Sequence, residues 1–472
     1  MKRIANVPDE LRSKPAYAFL LLYATTTIAL PAQTFTRLDS FNVANGADPT
    51  VALVQAANGN LYGTTAAGGA KDLGTVFMIT PGGKLTSLHS FDGTDGESPA
   101  GTLVQASNGD LYGTTFAGGA KYAGTVFKIT PSGALTTLYS FCSQSECTDG
   151  SNPAAGLIQA TEGNFYGTTW TGGANCEPGG CGTIFKITPT GELTTVFNFP
   201  GQAGSNSPSA ALVQATDGDL YGETTSTIFK ISTGGTLTTI YTGAAGFYPV
   251  GGLVQATDGN FYGTNSGSVE GFYGTVFKIT PSGALTTLYS FCFQGGQCPD
   301  GYNPRAGLVE AANGDFFGTT YYGGANGDGT AFEITPSGAL TTLYSFCGQS
   351  HCTDGKYPTA GLVQDTSGEI YGTTDYGGSH GHGTVFSLSL GLGPFVKTQP
   401  RLGKVGADVS VLGTNLTGTS SVTFNGTAAA AFTVISPSLI SATVPAGATT
   451  GTVQVVTPSG TLSSNVPFQV LP

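Results

Sequence analysis

Acidic side chains that interrupt a repeated sequence pattern are the first candidates for chemistry in this chain. Hydrolases and lyases commonly use two carboxylates, or a carboxylate and a histidine, to move protons. Glu223 stands where other copies of the phrase "YGTT" have threonine, and Asp375 follows that phrase in the last copy. These two residues are the catalytic candidates, with solvated loop carboxylates as the alternative. The sequence favours a protein that is not an enzyme, with an enzymatic role as the alternative.

Histidines and turn aspartates are the candidate metal ligands. His380 and His382, in "SHGHG", could both face one metal ion. No third ligand is near in the sequence, and two solvated loop histidines are the alternative. Calcium prefers several oxygen ligands, whereas the recurring Asp-Gly turns offer one carboxylate each and commonly only cap turns. We therefore predict no cofactor, with calcium as the alternative. The turns are Asp95-Gly96, Asp149-Gly150, Asp300-Gly301 and Asp354-Gly355.

Aromatic side chains occupy variable positions just after the repeated "TT". Trp170, the only tryptophan of the chain, holds this position in "GNFYGTTWTGG" and is followed by a Gly-Gly pair. Rings beside glycines can stay partly exposed, and they offer a large contact area to sugar faces or protein partners. The alternative is that each ring packs on the adjacent repeat. The predicted ligand-binding residues are Phe116, Trp170, Tyr321, Tyr322 and Tyr376.

The eight cysteines fall into four local pairs. In an exported chain this spacing predicts disulfide bonds. Zinc is the alternative, but a zinc site needs four ligands brought together, and the pairs lie in separate repeats. The predicted disulfides are Cys142–Cys147, Cys176–Cys181, Cys292–Cys298 and Cys347–Cys352.

All these residues belong to seven copies of one sequence unit. Each copy except the last, which stops after its third segment, has four short alternating segments, such as "AGLIQA", "NFYGTT", "GTIFKIT" and "LTTVFNF", separated by turn signals such as "TDGN" and "TPSG". Four strands in each of seven repeats predict an all-β fold, a seven-bladed β-propeller. The glycine of the "YG" phrase recurs at intervals of 41 to 55 residues, at Gly63, Gly113, Gly167, Gly222, Gly263, Gly318 and Gly372.

The two ends of the repeat region indicate a closed ring. The last copy stops after "GTVFSLSL", residues 383–390, while "TFTRLDSF", residues 34–41, resembles the strand that this copy lacks. Pairing of the two segments removes the exposed edges of a linear array; an open solenoid is the alternative. We expect the "AGLIQA" segments to be innermost, with small residues at the crowded axis, and the variable loops to share one face of the ring.

Two family resemblances support this organisation. "GTVFKITPSGALTTLYSF" and "GGLVQATDGNFYGT" resemble the GloVer (Gloeo-Verruco) tandem repeat of secreted bacterial proteins, which implies export and repeat architecture without known chemistry. The fourth copy departs from it in "YGETTSTIF". The later phrases "ADVSVLGTNL", "SSVTFNG" and "ATVPAG" resemble an IPT/TIG domain, an immunoglobulin-like β-sandwich. The expected domains are a propeller at residues 33–392 and an IPT/TIG domain at 393–472.

The first 32 residues predict a secretory signal peptide. The apolar run "AYAFLLLYATTTIAL" follows four basic residues, Lys2, Arg3, Arg12 and Lys14. We expect cleavage near Ala32. A membrane anchor is the alternative, but it needs about 20 apolar residues. We therefore expect a secreted or cell-surface protein, without membrane insertion once the signal is removed.

The charge balance of the chain excludes some classes of binding partner. Residues 33–472 carry 13 basic and 27 acidic side chains, a balance that repels nucleic acid and anionic membranes. We predict no nucleic-acid partner, and the sequence leaves the oligomeric state open. The expected function is a secreted binding or scaffold protein that recognises a polysaccharide or a surface protein through the loop face. An extracellular lyase or glycosidase acting on polysaccharide and a structural cell-envelope protein are the alternatives.

Overall fold

The computed structural model describes residues 33–174, 181–200, 207–208, 210–244, 246–267, 273–293 and 296–471. Within these ranges the chain is all-β, and its helical turns are two short 3-10 segments at Ser145–Cys147 and Ser350–Cys352. The described part of the chain contains no helix with the length and apolar character needed to span a membrane. The predicted signal peptide at 1–32 lies outside the described residues.

Short strands account for the repeat region. In chain order they are β1 (Thr34–Ser40), β2 (Val54–Gln55), β3 (Leu61–Thr65), β4 (Thr75–Ile79), β5 (Leu85–Ser90), β6 (Glu97–Pro99), β7 (Val104–Gln105), β8 (Leu111–Ala117), β9 (Thr125–Ile129), β10 (Leu135–Ser140), β11 (Ile158–Gln159), β12 (Phe165–Thr169), β13 (Thr183–Ile187), β14 (Leu193–Asn198), β15 (Val213–Gln214), β16 (Leu220–Glu223), β17 (Thr227–Ile231), β18 (Leu237–Thr242), β19 (Pro249–Gln255), β20 (Phe261–Asn265), β21 (Thr275–Ile279), β22 (Leu285–Ser290), β23 (Val309–Glu310), β24 (Phe316–Thr320), β25 (Thr330–Ile334), β26 (Leu340–Ser345), β27 (Val363–Gln364), β28 (Ile370–Thr374) and β29 (Thr384–Ser389).

These strands form seven antiparallel sheets in the described residues, one for each copy of the sequence unit. From the inside outwards, the four strand positions of a sheet are called a, b, c and d. Buried hydroxyl pairs join strands b and c, as between Thr65 Oγ1 and Thr75 Oγ1 at 2.9 Å, and they account for the recurring "GTT" and "GT" phrases. The sheets are sheet 1 (β2–β5), sheet 2 (β6–β10), sheet 3 (β11–β14), sheet 4 (β15–β18), sheet 5 (β19–β22), sheet 6 (β23–β26) and sheet 7 (β27–β29 with β1).

Sheet 7 takes its outermost strand from the other end of the repeat region. Strand β1 pairs antiparallel with β29, from Thr34 opposite Ser389 to Ser40 opposite Thr384. The Phe35 ring also stacks on Tyr344 of sheet 6, with 3.8 Å between ring centroids. The predicted pairing of residues 34–41 with "GTVFSLSL" is therefore confirmed.

Hydrophobic clusters lie between successive sheets all the way round the repeat region. Each cluster combines residues of one sheet with residues of the next, including the pairs from sheet 1 to sheet 2 and from sheet 6 to sheet 7. The cluster between sheets 7 and 1 contains Phe41, Leu53, Phe77, Tyr371 and Val385, all fully or almost fully buried. Because the last sheet packs on the first, burial of apolar surface holds the sheets in a closed ring.

A belt of side-chain hydrogen bonds also runs round the ring. In every sheet the last residue of strand a accepts a hydrogen bond, through its side-chain Oε1, from a backbone N–H in the a–b turn of a neighbouring sheet. This belt explains why the repeat retains Gln in "LVQA", and Glu310 is the one acid among these acceptors. The donor and acceptor pairs are Ala57 with Gln105, Ser107 with Gln159, Thr161 with Gln214, Thr216 with Gln255, Thr257 with Glu310, Ala312 with Gln364, and Thr366 with Gln55.

The innermost strands are shorter than their alternating sequence predicts. Most contain two paired residues, because the preceding Ala and Gly residues crowd against neighbouring sheets instead of pairing within their own. A Cβ atom at Gly101 would lie 2.5 Å from the backbone of Gly156, and one at Gly307 would lie 2.5 Å from the Gly251 oxygen. The expected role of small residues at the axis is therefore confirmed.

Three of the four predicted disulfides are formed within the described residues: Cys142–Cys147, Cys292–Cys298 and Cys347–Cys352. Cys176, which belongs to the fourth predicted bridge, lies outside the described residues. Each bridged loop accepts a hydrogen bond from the Gly-Gly loop of the following sheet; Gly173 N donates to Cys147 O at 2.9 Å. A side chain at Gly172 would collide with Gly150 at 2.7 Å, so close approach of the two loops requires the glycine.

The C-terminal segment, residues 396–471, forms three further sheets. Two of them contain four strands each and enclose a core that includes Val409, Val411, Phe424, Ile440 and Phe468. The third pairs Leu402–Lys404 with Gln469–Leu471 in parallel. The strands are β30 (Lys397–Gln399), β31 (Leu402–Lys404), β32 (Asp408–Leu412), β33 (Ser421–Phe424), β34 (Thr427–Ala428), β35 (Ala431–Ser436), β36 (Leu439–Thr443), β37 (Val453–Thr457), β38 (Gly460–Ser463) and β39 (Gln469–Leu471).

This segment covers the face of the ring formed by the a–b and c–d turns. Ser438 Oγ donates to Ala57 O at 2.6 Å, and the Thr414 and Thr366 hydroxyls lie 3.0 Å apart. Lys397 and the residues up to Leu402 line a cavity of about 410 Å³ together with the inner strands of several sheets. One opening of the ring is therefore occupied by the chain's own C-terminal segment.

Two basic residues of the C-terminal segment meet acids that break the repeat. Lys397 Nζ donates to the Gln364 carbonyl, and desolvation lowers its pKa to about 8 against the attraction of Asp365. Desolvation likewise lowers the pKa of Arg401, while Glu310 opposes that shift. Asp365 replaces the Ala of "LVQA", and Glu310 replaces its Gln. Charge complementarity therefore accompanies the docking of this segment on sheets 6 and 7.

Candidate functional site

The residues that follow the repeated "TT" surround the free opening of the ring. The backbone N–H groups of Trp170, Tyr321 and Asp375 donate to the carbonyls of Asn152, Asn303 and Tyr357, at 2.9, 3.1 and 3.2 Å. The residues two positions after these acceptors line a cavity on the axis of the ring. This cavity has a volume of about 280 Å³ and is lined mostly by Ala, Gly and Thr of all seven sheets. We call this opening the mouth. It lies on the face that carries the b–c and d–a loops.

Five tyrosines gather on the sheet 6 and sheet 7 side of the mouth. Tyr321 and Tyr357 stack with 5.0 Å between ring centroids and 23° between planes, and Tyr322 lies 4.5 Å from Tyr321 and 5.6 Å from Tyr357. Tyr302 stacks on Tyr322 at 5.3 Å, and Tyr376 lies 6.3 Å from Tyr357. Tyr376 is 40% exposed, so the group presents ring surface to solvent. We call these residues the tyrosine cluster.

Arg305 joins the tyrosine cluster to the axial cavity. Its Cζ lies 3.7 Å from the centroid of the Tyr321 ring, and its Nε donates to Asn303 Oδ1 at 2.8 Å. Arg305 also lines the cavity, at the first position after the proline that begins the inner segment of sheet 6. The stacking and the hydrogen bond hold the plane of the guanidinium group at the edge of the mouth.

Asp375 places a carboxyl group beside this arginine. The residue is 8% exposed, and its Oδ1 is buried with no hydrogen-bond partner in the described structure. Desolvation raises the pKa of Asp375 to about 7; the negative charge of Asp48 adds to the shift and Arg305 opposes it. The carboxyl group therefore changes its protonation near neutral pH, which is the range where a general acid or base works best.

Glu223, the other catalytic candidate, lies in separate surroundings. It is the last residue of β16 and is fully buried, with the Gly252 N–H donating to Oε2 at 3.2 Å and no partner for Oε1 among the described residues. Desolvation raises the pKa of Glu223 to about 8. Gly251 and Gly252 take positive φ angles of 84° and 86° beside it, and β19 carries a register shift there. The structure does not bring Glu223 together with Asp375.

Within the described residues, the predicted metal candidates do not join a group of three potential ligands. His380 is exposed, and neither His380 nor His382 belongs to a group of three potential ligands in the described residues. The one such group combines Asp328 with Cys347 and Cys352, whose sulfur atoms are already joined in a disulfide.

The Asp-Gly aspartates cap their own loops. Asp354 accepts from the Tyr344 hydroxyl at 2.7 Å and from the Gly348 N–H at 2.9 Å. Asp149 accepts the matching bonds from Tyr139 and Ser143. Asp300 accepts from Tyr289 and from the Cys292 N–H, and Asp95 lies 2.6 Å from His89 Nε2. These carboxylates tie the d–a loops to strand d.

The structure brings together some of the predicted ligand-binding residues and separates others. Tyr321, Tyr322 and Tyr376 lie in the tyrosine cluster. Phe116 and Trp170 hold equivalent positions on sheets 2 and 3; Phe116 is 38% exposed, and Trp170 makes no ring contact with the described aromatic residues. Trp170 is therefore a neighbour of the mouth but not a member of the cluster.

The sequence prediction missed Arg305, Tyr357 and Asp48. The sequence does distinguish all three residues, because each departs from the repeat pattern directly beside the recurring proline of the d–a loops. Arg305 is the only charged residue among the seven positions that follow this proline, and Tyr357 and Asp48 stand directly before it. Comparing the d–a loops position by position would have identified them.

The ring of four- and five-stranded sheets and the loop-bordered mouth define the class: an all-β repeat protein with a β-propeller-like fold. The model of the Gloeobacter/Verrucomicrobia repeat family matches residues 24–227 and 223–434. The chain therefore belongs to this family, as the resemblance of its repeats implied. No curated protein sequence matches the chain.

Solved structures show likeness in fold. A virginiamycin B lyase from Staphylococcus aureus has 16% sequence identity and a TM-score of 0.54, with 76% of this chain and 99% of that chain covered. A streptogramin B lyase has 15% identity and a TM-score of 0.53, with coverage of 76% and 97%. At such low identity the likeness concerns the fold alone.

Proposed function

We propose that this protein is a secreted bacterial binding protein that recognises a polysaccharide through the mouth and the tyrosine cluster. In this proposal residues 33–392 are a seven-bladed β-propeller, supported by the seven sheets and their closed packing. Residues 393–472 are an IPT/TIG immunoglobulin-like domain, supported by the two four-stranded sheets around one core. Export is supported by the three disulfides, which persist in oxidising compartments.

The tyrosine cluster is the observation that carries the proposal. Its rings lie on loops of two neighbouring sheets and are held by mutual stacking, so little side-chain entropy is lost when a ligand covers them. Aromatic faces bind the apolar faces of sugars, while hydroxyl groups at the ring edges satisfy sugar hydroxyls. A surface protein is the other partner that this kind of patch accepts.

The test is a glycan array followed by titration with the best glycan. Y357A removes the ring that contacts Tyr321, Tyr322 and Tyr376, and we expect it to weaken binding at least about tenfold. Y122A is the matched control, because Tyr122 is 76% exposed on the b–c loop of sheet 2. Equal affinities of both variants and the wild type, or no glycan bound at all, would remove the proposal.

Asp375 supports a second candidate function, an extracellular enzyme that acts on polysaccharide. Its pKa of about 7 suits proton transfer at neutral pH, and it borders the same mouth. The fold likeness to a lyase is compatible with this role. D375N, measured at pH 6 where the Asp375 carboxyl is mostly protonated, distinguishes the candidates: an enzyme loses turnover while a binding protein keeps its affinity within a few fold.

A further inference from the structure

Among the described residues, two cations contact the tyrosine cluster: Lys356 Nζ lies 5.2 Å from the centroid of the Tyr357 ring, and Arg305 is held in a fixed orientation with no opposite charge bound to it. Its ring contact with Tyr321 and its Nε bond to Asn303 fix the guanidinium plane. In the described structure the two terminal nitrogens make no hydrogen bond or ion pair. The residue is exposed, so both nitrogens are accessible from the mouth.

This charge is specific to sheet 6. The equivalent inner-strand positions are Thr50, Ala100, Ala154, Ser209, Val250 and Thr359, all neutral. Near Arg305, the Asp375 carboxyl is buried and desolvated, and no ion pair joins the two side chains in the described residues. A cation at this point does nothing for the repeat architecture, because six copies fold without it.

We propose that the ligand of the mouth is an acidic saccharide whose carboxylate Arg305 binds through its two terminal nitrogens while the adjoining sugar ring lies on the tyrosine cluster. A guanidinium group presents parallel N–H donors that match the two oxygens of a carboxylate. Arg305 lies on the Tyr321 ring at 3.7 Å, so its charge borders the tyrosine cluster, whose exposed ring is that of Tyr376. This inference rests on the proposed binding of polysaccharide.

The experiment compares hexuronate oligosaccharides with their methyl esters, which differ only in the charge of the carboxyl group. Titration calorimetry should show wild-type protein binding the acid at least about tenfold more tightly than the ester. R305Q should remove this preference, and R305K should recover part of it, because lysine keeps the charge but lacks the fork. K121Q is the matched control, since Lys121 is an exposed cation on the b–c loop of sheet 2.

The outcomes separate this inference from the proposed function. Acid and ester bound equally by the wild type, with R305Q unchanged, would overturn the inference and leave sugar binding standing. Binding of neither would overturn both. A stronger response to sulfated oligosaccharides than to hexuronates, or loss of the preference in K121Q, would also overturn it. Circular dichroism and thermal melting show whether each variant is folded.

Discussion

At the residue scale, the two buried carboxyls of the ring have different relations to their surroundings. Asp375 faces Asp48, Arg305, Tyr321 and Tyr376, so its charge matters to anything that enters the mouth. Glu223 faces the Gly252 N–H and is fully buried, so its charge matters mainly to folding. Ligand affinity therefore reports the charge of Asp375, and folding stability reports the charge of Glu223.

Ligand binding should depend on the protonation of Asp375. As the pH rises through about 7, this carboxyl ionises and repels a ligand carboxylate, so hexuronate affinity should fall about threefold to tenfold between pH 6 and pH 8. D375N should bind with the same affinity across this range, as measured by titration calorimetry. His382, which acts on Asp48, is the other group to control; H382Q should leave the fall in place, and its disappearance there would contradict the assignment to Asp375.

Glu223 should make folding stability fall as the pH rises. Its folded-state pKa is raised to about 8 from an ordinary value of 4.5, so the folded state holds the proton more tightly. Because the unfolded chain releases this proton near pH 4.5 and the folded protein only near pH 8, the free energy of unfolding falls between about pH 5 and pH 8. E223Q should raise the free energy of unfolding on the order of 3 kcal/mol at pH 8.5 and far less at pH 5.

Urea unfolding curves at the two pH values measure this difference. E192Q is the matched control, because Glu192 is an exposed acid in a c–d turn. A gain for E223Q that is the same at both pH values would mean that folding does not raise the pKa of Glu223.

At the element scale, β1 is the strand on which ring closure depends. A chain that begins at residue 42 lacks the partner of β29, the Phe35 stack on Tyr344 and the buried Phe41 ring. We expect its melting temperature to fall by at least about 5 °C and its exposed edge to cause aggregation, compared with a chain that begins at residue 33. Thermal melting and size-exclusion chromatography measure both effects, and matching curves would contradict closure by β1.

The strands and their ring order could be predicted because each copy repeats the same information. Every "NFYGTT"-like segment, every "TPSG" turn and the displaced segment at 34–41 correspond to described elements. The length of the inner strands could not be predicted in this way. It depends on contacts between sheets, such as Gly101 against Gly156, and these contacts have no local sequence signal.

The site was less accessible from sequence because its residues come from different loops. Tyr321, Tyr322 and Tyr376 were found from one repeated position, but the same search gave Trp170, which lies outside the tyrosine cluster. Arg305 and Tyr357 occupy a different position in the repeat, and only the packing of sheet 6 on sheet 7 places them beside Tyr321. The docking of Lys397 beside Asp365 likewise needs the arrangement of distant parts of the chain.

At the scale of the whole molecule, a ring of seven similar sheets presents seven nearly equivalent orientations to anything seated on its axis. Lys397 and Arg401 distinguish between these orientations, because the acids that attract them, Asp365 and Glu310, belong to two adjacent copies only. The same two copies carry the tyrosine cluster on the opposite rim. The C-terminal segment is thus held in one rotational orientation about the ring axis, relative to the mouth. A partner attached to this segment would therefore approach a bound polymer from a constant direction.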